Sequence, residues 1–116
     1  MTARKFDIEV EQGALFQMTL VYRNAAGALI DLTNYTAAMQ VREVIGGRVY
    51  ASASVANGRI TVNASGQIVV TIPASETKGI GITQGVYDLF LTSPDGIQVQ
   101  KLLYGDAVIA PSVTRA

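Results

Sequence analysis

The chain has 116 residues, with nine Lys and Arg against nine Asp and Glu, so it carries no net charge and lacks the basic footprint of a nucleic-acid binder. It contains neither cysteine nor histidine, which removes disulfides, thiolate nucleophiles, zinc–thiolate sites and the most common general base. Area scaling gives roughly 6,000 Å² of folded surface against roughly 18,000 Å² unfolded, enough burial for one core and no second domain.

Taken in order, Phe6, Ile8 and Val10 alternate with Lys5, Asp7, Glu9 and Glu11, the pattern of a strand with a charged outer face. No apolar leader of the signal-peptide kind precedes it and no run reaches a membrane span, so synthesis in a cytoplasm without membrane contact is expected. After Gln12-Gly13, the residues Ala14, Phe16, Met18, Leu20 and Tyr22 share one face of a second strand that ends near Asn24–Gly27. Leu29 to Leu32 reads as a short strand, bending at Asp31, Thr33 and Asn34, whose side chains satisfy turn backbones. A longer strand follows, with Tyr35, Ala37, Met39 and Val41 inward and Thr36, Ala38, Gln40 and Arg42 outward. Everything else can be added around this pair.

Gly46-Gly47 turns the chain into a weak strand from Val49 to Val55. Asn57-Gly58 is the strongest hairpin signal present, leading to a strand at Arg59–Asn63. Ser65-Gly66 turns again into Gln67–Ile72, which Pro73 stops. Residues 73–81 lack strand character and read as a crossover between sheets, with Ser75 placed to cap a single helical turn. Tyr87, Leu89 and Leu91 share the inner face of the next strand, Ser93-Pro94-Asp95-Gly96 is a turn, and the last strand, Ile97–Ala110, is expected to break near Gly105. About eight short strands separated by turn chemistry predict an all-β fold, an immunoglobulin-like antiparallel β-sandwich over residues 1–116 with short extended termini.

Catalytic templates fail on inventory. Ser-His and Cys-His pairs are impossible, and the glycines sit in turns, with no G-x-G-x-x-G or G-x-x-x-x-G-K pattern. A two-carboxylate site would need acids such as Asp7, Glu9 and Glu11 to point inward, yet they lie on the wet face of a strand. Asp31, Asp88, Asp95 and Asp106 are not clustered as calcium loops require. No catalytic residue, metal or cofactor is therefore assigned, and a non-enzymatic protein is expected. Apolar residues on faces that should be wet point elsewhere: Leu15, Val21, Phe90 and Tyr104 are candidate partner-binding positions. Hydrophobic residues make up 49% of the chain and charged ones only 16%, below the usual charged share of about 25%. Both features favour a protein partner.

The segment Lys5-Phe6-Asp7-Ile8-Glu9-Val10-Glu11-Gln12-Gly13 resembles the F-x-x-x-x-E-Q-G opening of small structural proteins of tailed bacteriophages. The likeness continues through Ile30-Asp31-Leu32-Thr33-Asn34-Tyr35-Thr36-Ala37 and Met39-Gln40-Val41-Arg42. It resumes at Gly85-Val86-Tyr87-Asp88-Leu89 and at Pro111-Ser112-Val113-Thr114-Arg115. The D-L-T-x-Y-T corner is also similar to the N-terminal domain of phage baseplate upper proteins, which attach receptor-binding proteins to the tail. The chain departs from the pattern at Ile80-Gly81-Ile82-Thr83, where such proteins often carry a charge. The resemblance implies a structural component of the virion, a tail, baseplate or tail-fibre adaptor, with a capsid decoration protein as the alternative; an enzyme accessory is a third class, which the missing chemistry disfavours. It further implies phage-protein partners, a homo-oligomer or symmetric array, and no nucleic acid or membrane. Pro111, Val113 and Arg115 join the partner-binding candidates, as a terminal strand able to add to a neighbour's sheet edge.

Overall fold

The structure, a computed structural model, describes residues 3–112. The alternating segments form β1 (Arg4–Lys5), β2 (Ile8–Glu11), β3 (Phe16–Val21), β4 (Thr36–Arg42), β5 (Val49–Ser54), β6 (Ile60–Val62), β7 (Gln67–Ile72), β8 (Gln84–Thr92) and β9 (Val99–Ala110). A single helical turn, α1 (Ala74–Thr77), lies between β7 and β8. A six-stranded sheet runs β1-β9-β8-β4-β5, with β2 also pairing β9, and packs on a three-stranded sheet ordered β3-β7-β6. The order β3-β7-β6 is that of strands B, E and D in an immunoglobulin fold, and β9-β8-β4-β5 that of G, F, C and C′. The fold is an all-β, immunoglobulin-like sandwich.

The core is what period-two patterning delivers when two sheets face each other. Met39 and Val41 from β4, Leu89 from β8, Ile109 from β9 and Val10 from β2 meet Ile60, Ile68, Val70 and Ile72 from the smaller sheet, and all are buried. Ala37 is buried with them, while Tyr35 is only partly covered. Residues 73–81 do carry the chain between sheets. Pro73, not Ser75, occupies the helix N-cap, without a side-chain cap bond. The crossover is held instead by Thr77, a buried hydroxyl that donates to the Ala14 carbonyl at 2.7 Å.

Four further expectations, all about strands, need correction. Leu29–Leu32 is not a strand. Leu29 makes only a bridge to Arg23, and the chain then dives so that Leu32 is buried and its N–H reaches the Asn63 carbonyl. The corner itself is as expected in kind: Asp31 Oδ1 accepts from the Thr33 N–H (2.9 Å) and hydroxyl (2.5 Å), and Asn34 contributes a positive φ of 67°. Asn57-Gly58 turns the chain but makes no hairpin, because β5 and β6 belong to different sheets. The outer edge of β5 is occupied instead by Asn57 and Arg59 of the connection and by Glu76 of α1.

The first strand is broken where continuous alternation was expected. Phe6 lies outside the core, and Arg4–Lys5 and Ile8–Glu11 pair with β9 as two parallel segments separated by Phe6-Asp7. The last strand, in contrast, does not break at Gly105. Its irregularity falls earlier, where Leu89 pairs Leu103 but Phe90 pairs Lys101, so that Leu102 is bulged and both leucines are buried. Gly105 is needed for proximity: a Cβ there would sit 2.6 Å from the Phe6 carbonyl oxygen and 2.7 Å from Asp7 Oδ1. The kink in the first strand and the glycine in the last are one feature.

Candidate protein-docking face

The outward face of the larger sheet is built by cross-strand rows. Phe90 of β8 is flanked by Ala38 and Lys101, Asp88 by Gln40 and Tyr104, and Val86 by Arg42 and Asp106. In antiparallel register such neighbours share a face. They floor an open groove of about 630 Å³, which Lys5 and the β4–β5 loop residue Ile45 also line. The Lys101 ammonium stands 5.6 Å from the Phe90 ring centroid, a cation–π contact over the ring face. Farther along the face, beside Val86, Arg42 holds the β4–β5 loop, donating from Nη1 to the Gly47 carbonyl at 2.5 Å and from Nη2 to Gln40 Oε1 at 2.7 Å. Ile45 is thereby held out at 93% exposure. Apolar residues interspersed with charges of both signs, a carboxylate at the centre, suit a protein surface better than a phosphate or a nucleic-acid backbone.

Beneath the groove, buried Tyr87 donates its hydroxyl to the Phe6 carbonyl, and Asp7 Oδ1 accepts from the Asp106 N–H at 2.9 Å. Burial, with the Asp7 charge as the lesser cause, pushes the Tyr87 hydroxyl up to about 12. This lock holds the first strand against β9. Among the described residues, no group of three or more carboxylate, His or Cys side chains is arranged to hold a metal.

Of the positions singled out from sequence, the fold brings Phe90 and Tyr104 into the one groove, with Phe90 half-buried and Tyr104 exposed. Leu15 and Val21 are exposed as expected, but at the smaller sheet, Val21 in β3 and Leu15 directly before it. The four do not form one surface. Pro111 is exposed at the end of β9, and the neighbouring Ser112 is anchored by its N–H to Gln12 Oε1 at 3.0 Å. Val113 and Arg115 lie outside the described residues. At the other end, Arg4-Lys5 pairs in parallel with β9.

Sequence reasoning missed Val44, Ile45 and Ile97, all exposed at loop tips. A signal existed for the first two: adjacent β-branched residues directly before Gly46-Gly47, where a turn should be polar.

No protein-family model matches the chain, and no curated protein matches it. Among solved structures it is similar to the extracellular domain of the voltage-gated sodium channel beta4 subunit, at 12% identity and a TM-score of 0.46 over 97% of each chain. It is also similar to Tim-1, at 14% identity and the same TM-score, over 99% of this chain and all of the other. These likenesses concern the fold alone.

Proposed function

We propose that this chain is a non-enzymatic structural component of a tailed-phage particle, an adaptor of the tail or baseplate that docks another virion protein on the outward face of its larger sheet. The observation that carries the docking role is the groove. Phe90, Val86, Tyr104 and Ile45 offer apolar contact there, with Asp88 between Phe90 and Val86 and with Lys5, Arg42, Lys101 and Asp106 as further charges, which can fix orientation. The phage assignment is supported by the resemblance of the opening segment, the D-L-T-N-Y-T corner and the G-V-Y-D-L strand. These residues build corners and strand ends and carry no reactive group, as befits a scaffold.

The test is particle incorporation. The full-length chain should be found in purified virions, and cryo-electron microscopy should place it at the tail or baseplate. Density on the capsid would favour a decoration protein instead, and absence from the virion would end the phage reading. Phe90→Asp and Tyr104→Glu, both on the outward face, should keep the circular-dichroism melt while reducing incorporation. Normal incorporation of both variants would move the docking surface away from the groove.

A further inference from the structure

We infer that the outer edge of β3 is a self-association site, where a second copy of this chain adds its own β3 antiparallel about a two-fold axis at Thr19. The phase of the ladder identifies the open groups. Tyr22 donates its N–H to the Gly66 carbonyl at 2.7 Å, and the register runs Leu20 with Ile68, Met18 with Val70 and Phe16 with Ile72. Hydrogen-bonded pairs alternate along an antiparallel ladder, so the even-numbered residues of β3 bond β7. The N–H and C=O groups of Gln17, Thr19 and Val21 therefore point away from β7, and no partner meets them among the described residues.

Natural sheets guard such edges with charge, proline, bulges or very short strands. The other edges of this protein are guarded. On β5 the outward groups are those of Ser52 and Ser54. Glu76 Oε1 accepts from the Ser52 N–H at 3.1 Å, and Arg59 Nη1 donates to the Ser52 carbonyl at 3.0 Å. Asn57 Oδ1 accepts from the Ser54 N–H, and the Arg59 N–H donates to the Ser54 carbonyl. β6 has only three residues, and the β1–β2 edge is interrupted at Phe6-Asp7 and charged at Glu9 and Glu11. β3 reads Phe-Gln-Met-Thr-Leu-Val, without charge, proline or glycine.

The edge is complementary to itself. About a two-fold at Thr19, Gln17 faces Val21 of the second copy, Thr19 faces Thr19, and Leu15 faces Arg23. No like charges are opposed, and a Thr–Thr pair is favourable across strands. Leu15 and Val21, both exposed, would be covered together. Leu15 of the second copy would arrive at Arg23, on the rim of a cleft of about 510 Å³ that Leu20, Val21, Leu102 and Leu103 line. A two-fold contact of this kind closes on two copies and does not propagate into fibres. The absence of net charge means that no long-range repulsion opposes it.

Sedimentation of the full-length chain over a wide concentration range should show a reversible dimer. Thr19→Lys sets two ammonium groups against each other on the axis and should weaken the dimer about tenfold or more. Thr19→Pro removes an outward N–H that the monomer does not use and should act in the same direction. The double variant Q17K/V21E should dimerise and Q17K/V21K should not, because position 17 faces position 21 only in this register. Thr19→Cys introduces the sole thiol and should yield a disulfide-linked dimer on mild oxidation, whereas Ser52→Cys on the capped β5 edge should not. A native chain that stays monomeric throughout would overturn the inference. So would a dimer that survives every charge and proline variant with its circular-dichroism melt intact.

Discussion

The outer edges of β3 and β5 are each six residues long and border the same core, yet one is open and the other closed. On β5 the closing groups come from the segment that follows it: Asn57 and Arg59 from the turn, and Glu76 from α1. Arg59 and Glu76 also pair with each other, so each holds the other in place on the edge. On β3 the natural closing group would be the first strand, which in a constant-type immunoglobulin domain lies beside B. Here that strand has been taken by β9. The difference shows that edge protection is a matter of where the neighbouring chain is sent, and the Tyr87–Phe6–Gly105 lock sends it to the larger sheet.

The contrast can be sharpened or broken by substitution, beginning with the core common to both edges. Met39→Ala, at a fully buried site, should cost about 2–5 kcal/mol in denaturant melts while leaving both edges as they are. A loss within about 0.5 kcal/mol would mean that the inward face of β4 is misassigned. Arg59→Ala should cost less, about 1–3 kcal/mol, by stranding the Ser52 carbonyl and the Glu76 carboxylate. It should also make β5 behave like β3, giving species larger than a dimer in sedimentation. If no larger species form, the side chains on β5 are not what keeps that edge closed.

A pH series tests the lock that leaves β3 uncovered. The Tyr87 hydroxyl titrates at about 12 in the fold against an ordinary 10.0. Because the folded value is raised, the contribution is complete below about pH 10 and is lost as pH rises through about 12. Tyr87→Phe should remove this component of the alkaline decline in Tm, and an unchanged slope would show that the hydroxyl is not held as described. The smallest effect on stability should come from Thr19→Lys. As a surface change it should shift monomer stability by no more than about 0.5 kcal/mol. A larger shift would mean that the β3 edge is already covered within the monomer.

Much of this architecture was readable from alternation. The inward residues of β4, β7 and β8 followed directly from period two, because two facing sheets bury every second side chain. What periodicity could not carry was pairing. Nothing local distinguishes Asn57-Gly58, which passes between sheets, from Ser65-Gly66, which joins β6 to β7. The exposure of Phe6 depends on a glycine about a hundred residues away. The doublet Leu102-Leu103, which breaks alternation, was a visible sign of the bulge, as Val44-Ile45 was of the exposed loop. For the docking positions, sequence found outward apolar residues but could not group them. Phe90 and Tyr104 meet through the register of β8 and β9, and Leu15 and Val21 fall on another sheet.

The bond from the Asp106 N–H to Asp7 Oδ1 spans 99 positions of sequence, and it has a kinetic consequence. During synthesis the first strand has no partner until β9 has emerged, about a hundred residues later. Such non-local closure imposes a large loop entropy before any contact repays it, and it slows folding. Over that interval β3 and the unpaired first strand are both available, and a transient pairing between them is the natural competitor. Refolding should therefore show a slow phase that Gly105→Ala lengthens, since added bulk obstructs the final docking. A single fast phase in stopped-flow fluorescence, unaffected by that change, would show that the first strand finds β9 without delay.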